Sequence, residues 1–103
     1  MTAPRFDELI HPGTRLSIVA LLAAADWAEF AFLRDTLGLS DSALSKQLAT
    51  LEQAGYVNIG RPLRDSRRRV RARLTPTGRA AFNGHLAALR QIVGNADPEH
   101  AFA

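Results

Sequence analysis

The chain has no cysteine among its 103 residues. That excludes disulfides, thiolate metal sites and cysteine-based redox sensing, and it suits a reducing compartment. Aromatics are few, with one Trp, one Tyr and five Phe. None of them lies between Arg61 and Leu74. Long apolar runs are missing too: Leu16–Ala25 is about half of the roughly 20 residues that span a bilayer. The opening "MTAPRFDELIHPG" has no basic head followed by an apolar stretch, so it does not read as a signal peptide. Glycines are scattered and form no phosphate-binding loop. His11, His85 and His100 stand apart, none with a second ligand at helical i+4 spacing. Asp97, Glu99 and His100 cluster only in a tail that reads as frayed, and a loose tail cannot preorganise catalysis. These absences predict a soluble, cytoplasmic protein that is not an enzyme, holds no cofactor or metal and has no membrane partner.

What is present is charge in one place. The net charge of +3 hides an asymmetry. Residues 1–60 hold four bases against seven acids, residues 61–73 seven arginines against Asp65, and residues 74–103 two of each sign. The middle segment therefore carries +6 and the first carries −3. Such a cluster makes a local field that attracts polyanions whatever the total.

The length suits one domain, 1–103, with a single modest core that a partner subunit would help stabilise. "FDELI" (Phe6–Ile10) reads as a short helix broken by His11-Pro12-Gly13. Thr14 is expected to cap "RLSIVALLAAA", whose apolar residues cover almost the whole circumference, so that helix is expected to be buried on more than one side. In the next segment Phe30, Leu33 and Leu37 share one helical face, and Gly38 ends the helix. Ser40 is a good N-cap for the following helix, with Asp41 favourable in its first turn. There Leu44, Leu48 and Leu51 face inward and Gly55 closes. The opposite face presents Ser42, Ser45, Lys46, Ala49 and Gln53, a small polar surface of the kind a helix in a DNA major groove tolerates. Two helices joined by a tight glycine-containing turn, over about 29–54, form a helix-turn-helix.

The period then changes. "YVNIG" (Tyr56–Gly60) and the strictly alternating "VRARL" (Val70–Leu74) read as two strands of a hairpin over about 56–74, with "RPLRDSRRR" between them. Thr75-Pro76 starts a last helix, about 76–93, in which Phe82, Leu86, Leu89 and Val93 recur along one seam. Three helices, a strand, a basic loop, a strand and a helix make a mainly α fold with a small β-hairpin (α+β): a winged helix-turn-helix with flanking dimerisation helices. The loop would be the wing. Arginine suits it because the planar guanidinium binds phosphate oxygens bidentately and fits a narrow minor groove. The contact group expected there is Arg61, Arg64, Arg67, Arg68 and Arg69. Asp65 would pair with Arg67 and fix the loop, and Arg71 and Arg73 would be solvated on the outer face of the strand.

"LGLSDSALSKQLATLEQAGYV" followed by "RDSRRRVRARLTPTGRAAF" resembles the DNA-binding core of MarR-family transcriptional regulators. "HPGTRLSIVALL" resembles the opening of ArsR-type winged-helix regulators. The first resemblance covers residues 37–82. It implies that Ser42, Ser45 and Lys46 face bases or phosphates, that Asp65 and Arg67 are the wing pair, and that the protein is a homodimer. With Ser40 and Gln53 from the reading of the helix itself, these residues make up the expected DNA-reading surface. The dimer seam would comprise Phe6, Leu9, Ile10, Phe82, Leu86, Leu89 and Val93. Both ends are shorter than is usual in that family, which leaves a small-molecule effector without support. The function expected is sequence-specific binding of double-stranded DNA as a repressor. Two other readings stay open: a winged helix that binds an acidic protein partner, and a nonspecific nucleic-acid binder. An RNA reader would carry aromatic stacking platforms, and the basic stretch has none.

Overall fold

The computed structural model describes residues 3–61 and 69–95. Its first helix, α1, spans Gly13–Ala23. The start is set by Pro12, not by Thr14. Pro12 is the N-cap with φ −53° and no side-chain cap is made. Its carbonyl already accepts the Leu16 N–H at 2.9 Å, so the first helical bond closes two residues before the threonine. Nor is α1 buried all round: Ile18, Val19 and Leu22 are buried while Thr14, Ser17, Ala20 and Ala24 are exposed. The short helix expected at Phe6–Ile10 is a single turn, closed by the His11 N–H on the Asp7 carbonyl at 2.9 Å. Asp7 Oδ1 accepts the N–H groups of Leu9 and Ile10 at 2.9 and 3.1 Å. This carboxylate gives the local backbone an alternative to helical bonding.

The helix-turn-helix forms as its local signals dictate. Helix α2 is Phe30–Leu37, and Gly38 leaves it in the left-handed region at φ 64°, where a side chain would be strained. Helix α3 is Asp41–Gln53, with Ser40 Oγ accepting the Ala43 N–H at 3.0 Å. Arg34 pins the turn from outside, donating to Asp35 Oδ1 and Asp41 Oδ1, each at 2.9 Å. Leu44, Leu48 and Leu51 are buried against the core. Each removes enough apolar surface from water to contribute about 1.5–3 kcal/mol.

The hairpin strands are β2 (Val57–Gly60) and β3 (Arg71–Leu74), antiparallel from Val57↔Leu74 to Gly60↔Arg71. Ala72 and Leu74 point into the core, as the alternation requires. A third strand, β1 (Ala28–Glu29), pairs with the other edge of β3, giving the order β1-β3-β2. The pattern of the sequence does not announce it, because two residues are too few to show alternation. Its neighbour Phe30 donates its N–H to the Val70 carbonyl at 2.8 Å, so the start of α2 is tied to the returning wing strand.

Helix α4 is Pro76–Asn95 and runs through Gly94, where the sequence suggested an end. Thr75 Oγ1 accepts the Gly78 N–H at 2.9 Å and donates to the Gly55 carbonyl at 2.6 Å. Gly78 itself lies so close to the Tyr56 carbonyl that any Cβ would collide with backbone. The end of α3, the start of β2 and the start of α4 are thereby locked together.

The N-terminal segment docks on α4. Arg5 donates its N–H to the Gly84 carbonyl at 2.9 Å, and Asp7 its N–H to His85 Nδ1 at 3.0 Å. His85 is fully buried. With Nδ1 accepting, the proton sits on Nε2, which faces His11 Nδ1 at 3.3 Å. The ring of Phe6 touches both imidazoles, with centroids 4.7 Å away in each case. Tyr56 donates its hydroxyl to Asp7 Oδ2 at 2.6 Å. His11 and His85 are thus partners in one knot, not the isolated pair that their sequence separation suggested.

Candidate nucleic-acid interface

Burial of Leu44, Leu48 and Leu51 turns the other face of α3 to solvent. Ser42, Ser45, Lys46, Ala49 and Gln53 lie there, and Ser40 at the cap is exposed. The Ser40 hydroxyl is already engaged as an acceptor, so its first role is to start the helix. Beside this face lies an open groove of about 530 Å³. Ser45 and Ala49 line it from α3, and Arg61 and Arg69 line it from the two ends of the wing. The fold therefore brings the outer face of α3 and the wing base to one surface. Arg64, Asp65, Arg67 and Arg68 lie outside the described residues.

The surface is not purely basic. Glu29, Asp41 and Glu52 line the same groove. Arg69 pairs with Glu29 at 3.4 Å, with both side chains more than half exposed. An exposed pair of this kind is weak, so Arg69 can exchange the carboxylate for a phosphate at little cost. The hydrogen bonds that Arg34 donates to Asp35 and then to Asp41 hold it more firmly protonated than a free guanidinium. Its role is to fix the turn between α2 and α3.

Arg71 and Arg73 are not simply solvated. Both lie over the ring of Trp27, with Cζ atoms 4.4 and 4.6 Å from its centroid, and Arg71 is half-buried. Cation–π contact explains their place on an otherwise open sheet face. Trp27 and Glu29 are the residues sequence reasoning missed. Their partners lie about forty residues along the chain, and no local pattern links them.

The expected seam divides in two. Ile10 is 0% exposed and Phe82 8%, so both belong to the core of the chain and leave little surface for a partner. Leu9, Leu86 and Leu89 are exposed only in part. Phe6 is 38% exposed and Val93 72%, and Ile92, which was not expected, is 54% exposed. Among the described residues no group of three metal-ligating side chains occurs, and no helix is long and apolar enough to cross a membrane.

Three helices ahead of an arginine-bearing hairpin, with a small polar face on the third, define a winged helix built to meet DNA. A family model described as "Winged helix DNA-binding domain" matches residues 14–93, and the chain belongs to that family. It is 30% identical over 88 residues to Uncharacterized protein MJ0432 of Methanocaldococcus jannaschii, covering 85% of this chain and 96% of that protein. Among solved structures, a transcriptional regulator homologue from Pyrococcus horikoshii superposes with a TM-score of 0.84 at 23% identity, covering 88% of this chain and 90% of that one. ZitR of Lactococcus lactis, a zinc-responsive MarR family member, superposes with a TM-score of 0.62 at 24% identity over 82% of this chain. The matched part spans only 57% of ZitR. These likenesses are of fold, and the fold is MarR-like.

Proposed function

We propose that the chain is a transcriptional regulator that binds double-stranded DNA sequence-specifically as a homodimer and acts as a repressor. The single observation that carries this reading is the shared surface of α3 and the wing base. Ser42, Ser45, Lys46 and Gln53 would enter the major groove, where short polar side chains read base edges. Arg61 and Arg69, continued by Arg64, Arg67 and Arg68, would follow the phosphates or the minor groove, with Asp65 fixing the loop. Phosphate contacts set the register, and α3 supplies the preference.

The homodimer is supported by apolar surface on the last turns of α4. Ile92 and Val93 are exposed there, in line with Leu86 and Leu89, and Phe6 and Leu9 lie on the segment docked to the same helix. A twofold dimer would place two copies of α3 on half-sites roughly 10 bp apart or a multiple of that.

Selection from a random duplex pool tests the reading. Enrichment of a palindromic motif with that half-site spacing is expected. Enrichment of an unpaired half-site would remove the dimer and keep the DNA reader. A pool that stays unenriched while the protein retains duplex at low salt would point to nonspecific binding and overturn the regulator.

A further inference from the structure

We infer that Trp27 is a positioning residue: it sets the base of the wing against α3 by holding Arg71 and Arg73 as structural cations. This inference rests on the DNA-binding reading for its consequence, but its geometry stands apart from it.

Trp27 is the only tryptophan in the chain and lies between α1 and β1, far in sequence from the hairpin. Its ring nevertheless spans both hairpin strands at one rung. Gly60 and Arg71 are partners in the β2–β3 register. The Arg71 guanidinium lies over the indole, and Gly60 lies against its edge. That rung is the last one before the chain leaves β2 at Arg61. On the return, Arg69 and Val70 lead straight into Arg71. Trp27 therefore touches the hairpin where the wing begins and ends.

Gly60 explains itself only through this contact. Its backbone is outside the left-handed region, so the chain direction does not demand glycine there. A Cβ on it would sit 3.1 and 3.2 Å from Cζ3 and Cη2 of Trp27. The glycine leaves room for the ring. Two residues past Trp27, Glu29 pairs with Arg71 in the sheet register and with Arg69 through its side chain. One residue further, Phe30 bonds to Val70. The stretch from Trp27 to Phe30 thus grips the returning strand by its face, its edge and its charge. The same stretch leads directly into α2, which packs beside α3 and carries the Arg34 link to Asp41.

The four described arginines of this stretch therefore divide. Arg71 and Arg73 occupy the indole, with Arg71 Nε enclosed and without a hydrogen-bond partner among the described residues. Arg61 and Arg69 open onto the groove beside Ser45 and Ala49. The first two fasten the hairpin, and the second two are placed by that fastening.

Wild type, Trp27→Ala, Trp27→Phe and Arg73→Gln decide between these roles through two readouts. The first is amide exchange without DNA. Trp27→Ala is expected to speed exchange at residues 57–60 and 71–74 by about tenfold or more while the buried turns of α1 and α4 stay within about twofold, a local opening and not a global one. Trp27→Phe, which keeps an aromatic face, is expected to restore most of the protection. Unchanged exchange in the two strands, or uniform acceleration along the chain, would overturn the inference. The second readout is the salt dependence of duplex binding. Trp27→Ala is expected to flatten the log–log slope by roughly 0.9 for each phosphate that the displaced wing no longer neutralises, and Arg73→Gln, which leaves Arg71 over the indole and the strands protected, to leave it unchanged. A slope that falls with Arg73→Gln while exchange at residues 57–60 and 71–74 stays as in the wild type would make that arginine a DNA contact and overturn its assigned role. If the wild type binds no duplex, the DNA reading fails while the exchange pattern still decides for or against Trp27.

Discussion

Two regions of this domain hold polar groups in opposite ways. On the surface shared by α3 and the wing base, Ser42, Ser45, Lys46, Gln53, Arg61 and Arg69 face outward, and most of them have no committed protein partner among the described residues. Where the N-terminal segment meets α4, the polar groups satisfy one another: Asp7 with Tyr56 and His85, His85 with His11, Arg5 with Gly84. Groups left open to water contribute little to stability and are free to bind. Groups turned inward cost much to disturb because an unpaired buried donor or acceptor forfeits its hydration. The first region is therefore expected to answer to changes in binding assays and the second in unfolding assays.

The sharpest break should come at the junction beside the inner region. Gly78→Val would drive a side chain into the Tyr56 backbone and is expected to cost about 3 kcal/mol in urea unfolding. Next is His85→Ala. It empties a buried site and strands the Asp7 N–H, for an expected loss of about 2–3 kcal/mol in the same assay. Duplex affinity of the folded variant should not change. A variant as stable as the wild type would mean that the knot is satisfied by water.

The third effect is one of pH. Burial, and then the neighbouring His11, push His85 below the ordinary imidazole value of 6.5. As pH falls below 6.5 the unfolded chain takes up a proton that the folded chain refuses. Stability is then lost until the pH reaches the lowered folded value. Above 6.5 this group contributes no slope. Urea midpoints measured in steps downward from pH 7.5 should show that loss, and His85→Leu should remove its share of it.

The smallest effect on stability should come from the outer region. Arg67→Gln, Arg68→Gln and Arg69→Gln together are expected to move unfolding by no more than about 0.5 kcal/mol. Their effect on duplex binding should be large, flattening the salt slope by roughly 0.9 for every phosphate left without its arginine. A stability loss as large as that of His85→Ala would erase the contrast between the two regions.

The same contrast explains what could be read from the sequence. The signals for the helix-turn-helix lie within one or two turns of what they control. Ser40 caps the helix it precedes, Gly38 ends the one it follows, and Leu44, Leu48 and Leu51 repeat at helical spacing. Thr75-Pro76 marks the start of α4 in the same way. The outward face of α3 follows from its buried one. By contrast, His11 and His85 are 74 residues apart, and Asp7 and Tyr56 are 49 apart. Only the folded chain pairs them, and the same holds for β1 and for Trp27 on its two arginines. Ile10 and Phe82 show the limit of periodicity: their apolar character was plain, but whether core or partner would cover them was not. The three carboxylates lining the groove likewise come from β1 and from opposite ends of α3, and no single segment shows them as neighbours.

The most direct test of the α3 and wing surface is a fluorescence-anisotropy titration near 0.15 M salt. The duplex would come from upstream of the protein's own gene, with a shuffled duplex of the same composition beside it. Preference for the native duplex by roughly a thousandfold, at the low end for specific binders, is the result expected of a sequence-reading helix beside a phosphate-gripping wing. Binding to neither duplex, with the protein folded, would contradict it.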